Sequence, residues 1–313
     1  NLYRTFGVVP IARTVVPPAA AKLIPRCTEE EMYSLLTEDL AEAARLLPDT
    51  RNAEKARVTG IAAYTLLAKV YLTFGKHAEA RTALDEAMKA TGYGLESTTK
   101  RVFDINNKMN KEVIFALYYN KTNDNGHGYW YSANTDVMAD IRNPTPEFKA
   151  IYDESDNRLA LIDTYTKIQS NLFAMTKWYD TYDATYTTQV GNDFPHLRYA
   201  DITLMYAEAL AETDLPTALT WLNKTRIRAG LDELTSDDVK TKAEFIRELA
   251  AERGREFALE GHRWFDLVRL GLAVEHFRNL GYTLDAHNLI FPIPQNQIEI
   301  VNNPSILWQN PGF

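Results

Sequence analysis

A single cysteine, Cys27, among 313 residues excludes any disulfide within the chain and any thiolate zinc cluster. No apolar run approaches the roughly 20 residues that a membrane-spanning helix requires. Lysine and arginine never gather into a basic run, and the formal net charge of −8 disfavours polyanions, so neither nucleic acid nor an anionic bilayer is a natural partner. The six histidines show no His-Glu-x-x-His spacing, and His262, with Asp266 four residues on, sits among arginines, so no metal site is expected. A Gly-x-Ser-x-Gly elbow is missing, no glycine-rich loop opens a helix, and Cys27 has no histidine beside it. These gaps weigh against metal-assisted, nucleophilic and phosphoryl-transfer chemistry, and no cofactor is implied.

What is present, 45% hydrophobic and 24% charged residues, suits a globular fold with one large core or two ordinary ones. Thr28 reads as an N-cap with Glu31 in the capping-box position, and Met32, Leu35, Leu36, Leu40, Ala43, Ala44 and Leu47 then keep helical spacing as far as Pro48. Two stretches carry the pattern of a tetratricopeptide-like helix pair, at about residues 57–91 and 199–229. In the first, Tyr64, Leu67, Ala68 and Tyr71 precede a turn at Phe74-Gly75-Lys76, and Ala80, Leu84 and Ala87 come after it. In the second, Tyr206, Ala207, Ala209 and Leu210 precede a turn near Leu215-Pro216, then Ala218, Leu219, Trp221 and Leu222. Small residues at Ala68 and Ala80 let the paired helices approach, and such pairs need stacked neighbours to bury their faces. Between them, Glu112 to Tyr119 reads as a buried strand, residues 120–145 as a long polar loop, Pro146 as a helix start, and residues 163–198 as loops with short strands. The end, from Leu289 to Phe313, alternates apolar anchors with proline turns along an extended tail. The expected fold is mostly α, a helix-pair scaffold with long irregular loops and a few short strands.

The densest charge pattern lies from Glu252 to Gly271. On one continuous helix, Glu252, Glu256 and Glu260 fall at successive i, i+4 positions, interleaved with Arg253, Arg255, Arg263 and Arg269, beside an apolar side of Phe257, Leu259, Phe265, Leu267 and Leu270. Such a lattice can position protons or can lock elements through arginine–carboxylate bonds. Paired cations keep carboxylates ionised, whereas a general acid needs an apolar pocket that raises its pKa, so the clamp is the preferred reading. A carboxylate glycosidase is the enzymatic rival, but nothing among 42 acids selects a pair, and Asp153, Asp156 and Asp163 beside Arg158 read as a solvated face.

Positive evidence for binding lies in the aromatics. Tyr129-Trp130-Tyr131 stand together in an otherwise polar loop flanked by Asn125 and Asn134, where the rings cannot all be core. Sugar rings present apolar C–H faces to such rings, and amides serve their hydroxyls. The alternative for Trp130 is that it anchors the loop to the domain. Trp178-Tyr179-Asp180, Tyr182 and Tyr186 form a second group, with the structural role preferred; Trp221, Trp264 and Trp308 read as core anchors.

Four blocks together resemble the SusD/RagB family: Arg4 to Pro10; Asn192 to Ala200; Asn223 to Gly230; and Glu252 through the tail, with Glu252, Arg253, Glu256, Glu260, Arg263, Asp266 and Arg269 matching the family's C-terminal signature. The resemblance implies that these seven residues are architecture and not ligand site. It also implies one SusD-like domain over residues 1–313, corresponding to the C-terminal two-thirds of the family fold, with a helical region and a lipidated cysteine preceding it in the full protein. The implied function is non-catalytic capture of an oligosaccharide or similar nutrient at the outer face of the outer membrane, handed to a SusC-like TonB-dependent transporter. Membrane attachment would be through the lipid anchor only. Ligand contact would fall to Trp130, Tyr129, Tyr131, Asn125 and Asn134. A glycoside hydrolase and a peptide-binding helix-repeat scaffold stand as alternatives, and peptide is an alternative ligand within the family.

Overall fold

The computed structural model describes residues 1–48, 57–119, 132–134, 145–163, 165–169, 172–178 and 191–313. The main helices are α1 (Glu29–Leu46), α2 (Gly60–Thr73), α3 (His77–Ala87), α4 (Tyr199–Leu210), α5 (Leu215–Arg228), α6 (Lys242–Glu256), α7 (Arg263–Arg269), α8 (Ala273–Asn279) and α9 (Gln295–Val301). The strands are β1 (Val113–Leu117), β2 (Ser132–Asn134), β3 (Tyr165–Gln169), β4 (Leu172–Met175) and β5 (Phe194–Arg198). The chain divides into two compact units, residues 1–39 with 264–313, and residues 40–263.

The larger unit is built on two antiparallel helix pairs, α2 with α3 and α4 with α5, with α3 also against α4 and α6 against α5. The pairs close because the contact positions are alanines: Ala68, Ala80, Ala87, Ala207 and Ala218 are fully buried. Gly75, at φ 68°, supplies the left-handed residue that turns α2 into α3. Every residue of α4 from Ala200 to Leu210 is buried, as expected of a helix with neighbours on all sides. Its buried Asp201 is held ionised by Lys69 and by Arg253, 3.0 Å away. Helix α6 opens with a complete capping box between Thr241 and Glu244.

Two small sheets are present among the described residues of this unit. The expected strand after Glu112 is β1, which pairs antiparallel with β5, residue 117 opposite 194, with two irregularities in register. A second sheet has the order β2-β4-β3, with Ser132 opposite Ala174.

In the smaller unit, the capping box at Thr28 and Glu31 forms as expected at the start of α1. Arg26 is the hub. Its guanidinium donates to the carbonyls of Val8 (2.7 Å) and Trp308 (2.8 Å) and to Asn310 Oδ1 (2.7 Å), and Asn310 donates in turn to the carbonyls of Phe6 and Phe291. The tail departs from the extended form expected of it. Residues 295–301 wind into α9, which ends at Asn302 in a left-handed conformation. Trp308, expected in the core, is 39% exposed and lies under the Arg26 guanidinium; Trp221 and Trp264 are half-buried.

Candidate functional site

The charge lattice resolves into a buried ionic frame, and its geometry corrects the sequence reading in two ways. First, the helix is not continuous. Helix α6 stops at Glu256, Leu259 (φ 63°) and Gly261 (φ 77°) turn the backbone through left-handed conformations, and α7 begins at Arg263. Glu260 therefore leaves the helical ridge. Second, the cations that hold the glutamates come mainly from distant elements. Arg255 pairs as expected, with Glu252 at 3.1 Å.

Arg158 forks onto Asp156 (2.9 and 2.8 Å) and reaches Glu252 (2.7 Å) and Glu256 (3.0 Å). Arg198, the last residue of β5, forks onto Glu260 (2.8 and 2.9 Å) and donates to Glu112 (2.8 Å) and to the Glu256 carbonyl (2.7 Å). Arg228, closing α5, joins Glu112 (2.7 Å) to Glu256. Lys177 donates to Glu260 (2.7 Å) and to the Ala258 carbonyl (2.6 Å), in the segment between α6 and α7. Five cations thus face five carboxylates, and the forked arginine geometry satisfies most of their hydrogen-bonding groups. Asp156, read from sequence as part of a solvated face, is 3% exposed and belongs to this frame.

Burial by itself would push Glu252, Glu256 and Glu260 toward the neutral form. The surrounding arginines outweigh it and hold all three below the usual carboxylate range, Glu256 well below under Arg228, Arg198 and Arg158. Burial likewise lowers Lys177, with Glu260 opposing. Such carboxylates stay ionised through the neutral range and have no proton to give. The remaining signature residues make contacts within the fold. Arg253 binds Asp201; Arg263 donates to the Ala250 carbonyl (2.6 Å) and lies against Gly254, where a Cβ would come within 2.7 Å of its guanidinium; Asp266 pairs with Arg269 at 3.0 Å.

Residues 152–313 match the profile of the SusD family. The chain belongs to that family. Residues 1–72 match a second SusD-like profile described as starch-binding, associating with outer membrane. The SusD-like protein P2 of Formosa agariphila is 27% identical over the whole of this chain and 71% of its own length. Among solved structures, a SusD superfamily protein from Bacteroides vulgatus superposes with a TM-score of 0.80 at 22% identity, covering all of this chain and 75% of that one. A laminarin-binding SusD-like protein gives a TM-score of 0.74 at 24% identity, with coverage of 100% and 75%. These structural likenesses are of fold.

Among the described residues, the aromatics packed on the frame, Phe103 and Trp178, are buried. Of the expected contact residues, Asn134 ends β2, and Asn125, Tyr129, Trp130 and Tyr131 lie outside the described residues, as do Tyr179, Asp180, Tyr182 and Tyr186. Lys177 and Trp178 are buried in the frame, and Trp178, whose preferred role from sequence is structural, is fully buried, 5.1 Å from the Phe103 ring and stacked on Phe194. The frame does touch the approach to the aromatic stretch. Strand β2, directly after Tyr131, pairs with β4, and β4 runs directly into Lys177. Sequence reasoning misses Arg158, Arg198, Arg228 and Glu112, although Arg198 and Arg228 lie in two of the family-like blocks.

Proposed function

We propose that the chain captures an oligosaccharide at the outer face of the outer membrane and passes it unchanged to a SusC-like TonB-dependent transporter, the full-length protein being held there by a lipid anchor. The observation that carries this reading is the neutralised frame. Where a hydrolase of this size would keep an acid with a raised pKa, the buried glutamates here are each locked by two or more cationic groups and serve only as scaffold. Membership of a family that includes a fold neighbour named for laminarin binding, and a profile named for starch, supports a glycan as the ligand. The contacts then fall to the polar, ring-bearing stretch, with Trp130 as the main stacking face, Tyr129 and Tyr131 beside it, and Asn125 and Asn134 serving hydroxyls. The chain acts as one SusD-like domain of the binding protein.

A glycan array including laminarin and starch oligosaccharides, followed by calorimetric titration, tests the proposal. Saturable binding without release of reducing sugar is expected, with Trp130→Ala weakening it at least about tenfold, the loss of one ring–sugar stack in a desolvated site. Unchanged affinity in that variant removes the site assignment. Release of reducing sugar would mean a hydrolase, and capture of peptides with no response on the array would mean a peptide-binding scaffold.

A further inference from the structure

We propose that Trp308 is a second sugar-binding face of the chain, a stacking platform for one neutral pyranose unit, built without Trp130 or any residue of the ionic frame. It deepens the glycan reading above and rests on it. Among the described tryptophans, Trp178 is fully buried, Trp221 and Trp264 are half-buried, and Trp308 is 39% exposed. Exposure of a lone apolar side chain needs no explanation; what sets Trp308 apart is its mount. The Arg26 guanidinium lies over one face of the ring, 4.8 Å from its centre. Arg26 is itself buried and bonded to four acceptors: the carbonyls of Val8 (2.7 Å), Trp308 (2.8 Å) and Phe6 (3.3 Å), and Asn310 Oδ1 (2.7 Å). The main chain on either side of the ring is held as well. The Arg26 N–H donates to the Ile306 carbonyl at 3.0 Å, and the Gln309 carboxamide bonds both the N–H and the carbonyl of Ile293, at 2.7 and 3.0 Å. The indole plane is therefore set before any ligand arrives, and little ordering is left to be done at binding.

What the ring offers is narrow. With one face taken by the guanidinium, its exposure belongs to the opposite face and the rim, and among the described residues no acceptor is bonded to the indole N–H. A cation held against the π-system polarises it and makes that N–H a better donor. A pyranose matches both groups: its C–H face packs on the ring, and a hydroxyl at its edge accepts from the N–H. A protein anchor matches them less well, because hot-spot rings sit in dry apolar pockets, whereas the turn leading into Trp308 exposes Asn303 and Ser305. Asn303 spends its side-chain oxygen on the Ser305 N–H, at 3.0 Å, and its carbonyl on the N–H groups of Ile306 and Leu307. Its NH2, bonded to no described residue, is available to a hydroxyl. The guanidinium is fully committed and the net charge is −8, which favours a neutral sugar over a uronate or a sulfated one.

The full chain, carrying 5-fluorotryptophan in place of its five tryptophans, is titrated with laminarin and starch oligosaccharides while the fluorine resonances are followed, that of Trp308 being the one lost in Trp308→Phe. A saturable shift of the Trp308 resonance is expected, and is expected again in Trp130→Ala, since the platform does not depend on the other ring. On the Trp130→Ala background, calorimetry is expected to show binding at least about fivefold weaker on adding Trp308→Ala, the size of one aromatic contact. Adding Trp308→Phe instead, which keeps a ring and removes the N–H, is expected to cost about twofold. The resonance is read in the unaltered fold, so it decides the matter even if Trp308→Ala loosens the Arg26 hub. Glycan binding that leaves the Trp308 resonance unmoved overturns the platform and leaves the glycan reading in place. So does a shift that vanishes in Trp130→Ala, which makes Trp308 a bystander of the other ring. A resonance that ignores every sugar but changes with chain concentration assigns the ring to a protein contact and likewise overturns the sugar site. If no glycan binds the wild-type chain, the glycan reading fails, and the platform with it.

Discussion

Arg198 and Arg26 are both buried arginines, one at the centre of each compact unit, and they are accommodated in opposite ways. Arg198 is ringed by Glu260, Glu256 and Glu112, whose charges outweigh burial and raise its pKa well above the ordinary value. Arg26 is also hydrogen-bonded on several sides, but to carbonyls and an amide, so burial lowers its pKa. The first solution is strong and depends on the ionisation of its partners. The second is weaker and has partners that do not titrate. The contrast shows that two buried polar hubs can respond differently to the same perturbation.

Acid should separate them most. Glu252, Glu256 and Glu260 have depressed folded-state pKa values, so their contribution is complete above the ordinary carboxylate value of about 4.3 and is lost as pH falls below it. Thermal unfolding is therefore expected to vary little between pH 7 and about pH 5 and to drop steeply below about pH 4, with amides of β5 and α6 losing protection while those bonded around Arg26 keep theirs. A uniform loss across both units would contradict the distinction. Next in size, Arg198→Met leaves three carboxylates short of a cation in a dry site and should cost about 3–5 kcal/mol in denaturant unfolding. Smaller again, Arg26→Met strands carbonyl acceptors without leaving a charge behind and should cost about 1.5–3 kcal/mol, with no added acid sensitivity.

The parts of the fold visible in the sequence are those written by local chemistry. Alanines at Ala68 and Ala80 announce a close helix pair, Thr28 and Glu31 announce a cap, and the run from Val113 announces a strand. The frame is visible only on its glutamate side. Apart from Arg255, its arginines lie 28 to 116 residues from the glutamates they bind, and nothing in a periodicity reports a contact of that range. Gly261, inside an assumed helix, is the available signal that the i, i+4 ridge does not reach Glu260. Asp156 is misread because an acid next to an arginine looks the same in sequence whether the pair faces water or, as here, two buried glutamates. Of the proposed ligand site, residue types are legible, adjacent rings in a polar stretch, whereas a contact such as that of Lys108 with Asp193, 85 residues apart, is not.

The closed circuit of charges around Arg198 has a consequence for where such a protein can work. Mobile counter-ions weaken attraction between exposed groups over distances near 10 Å at 0.1 M ionic strength, but they do not enter a dry interior. With every member of the circuit from Glu112 to Glu260 sealed from solvent, brine and dilute medium act on this core alike, so the fold keeps its cohesion while the salinity outside it changes.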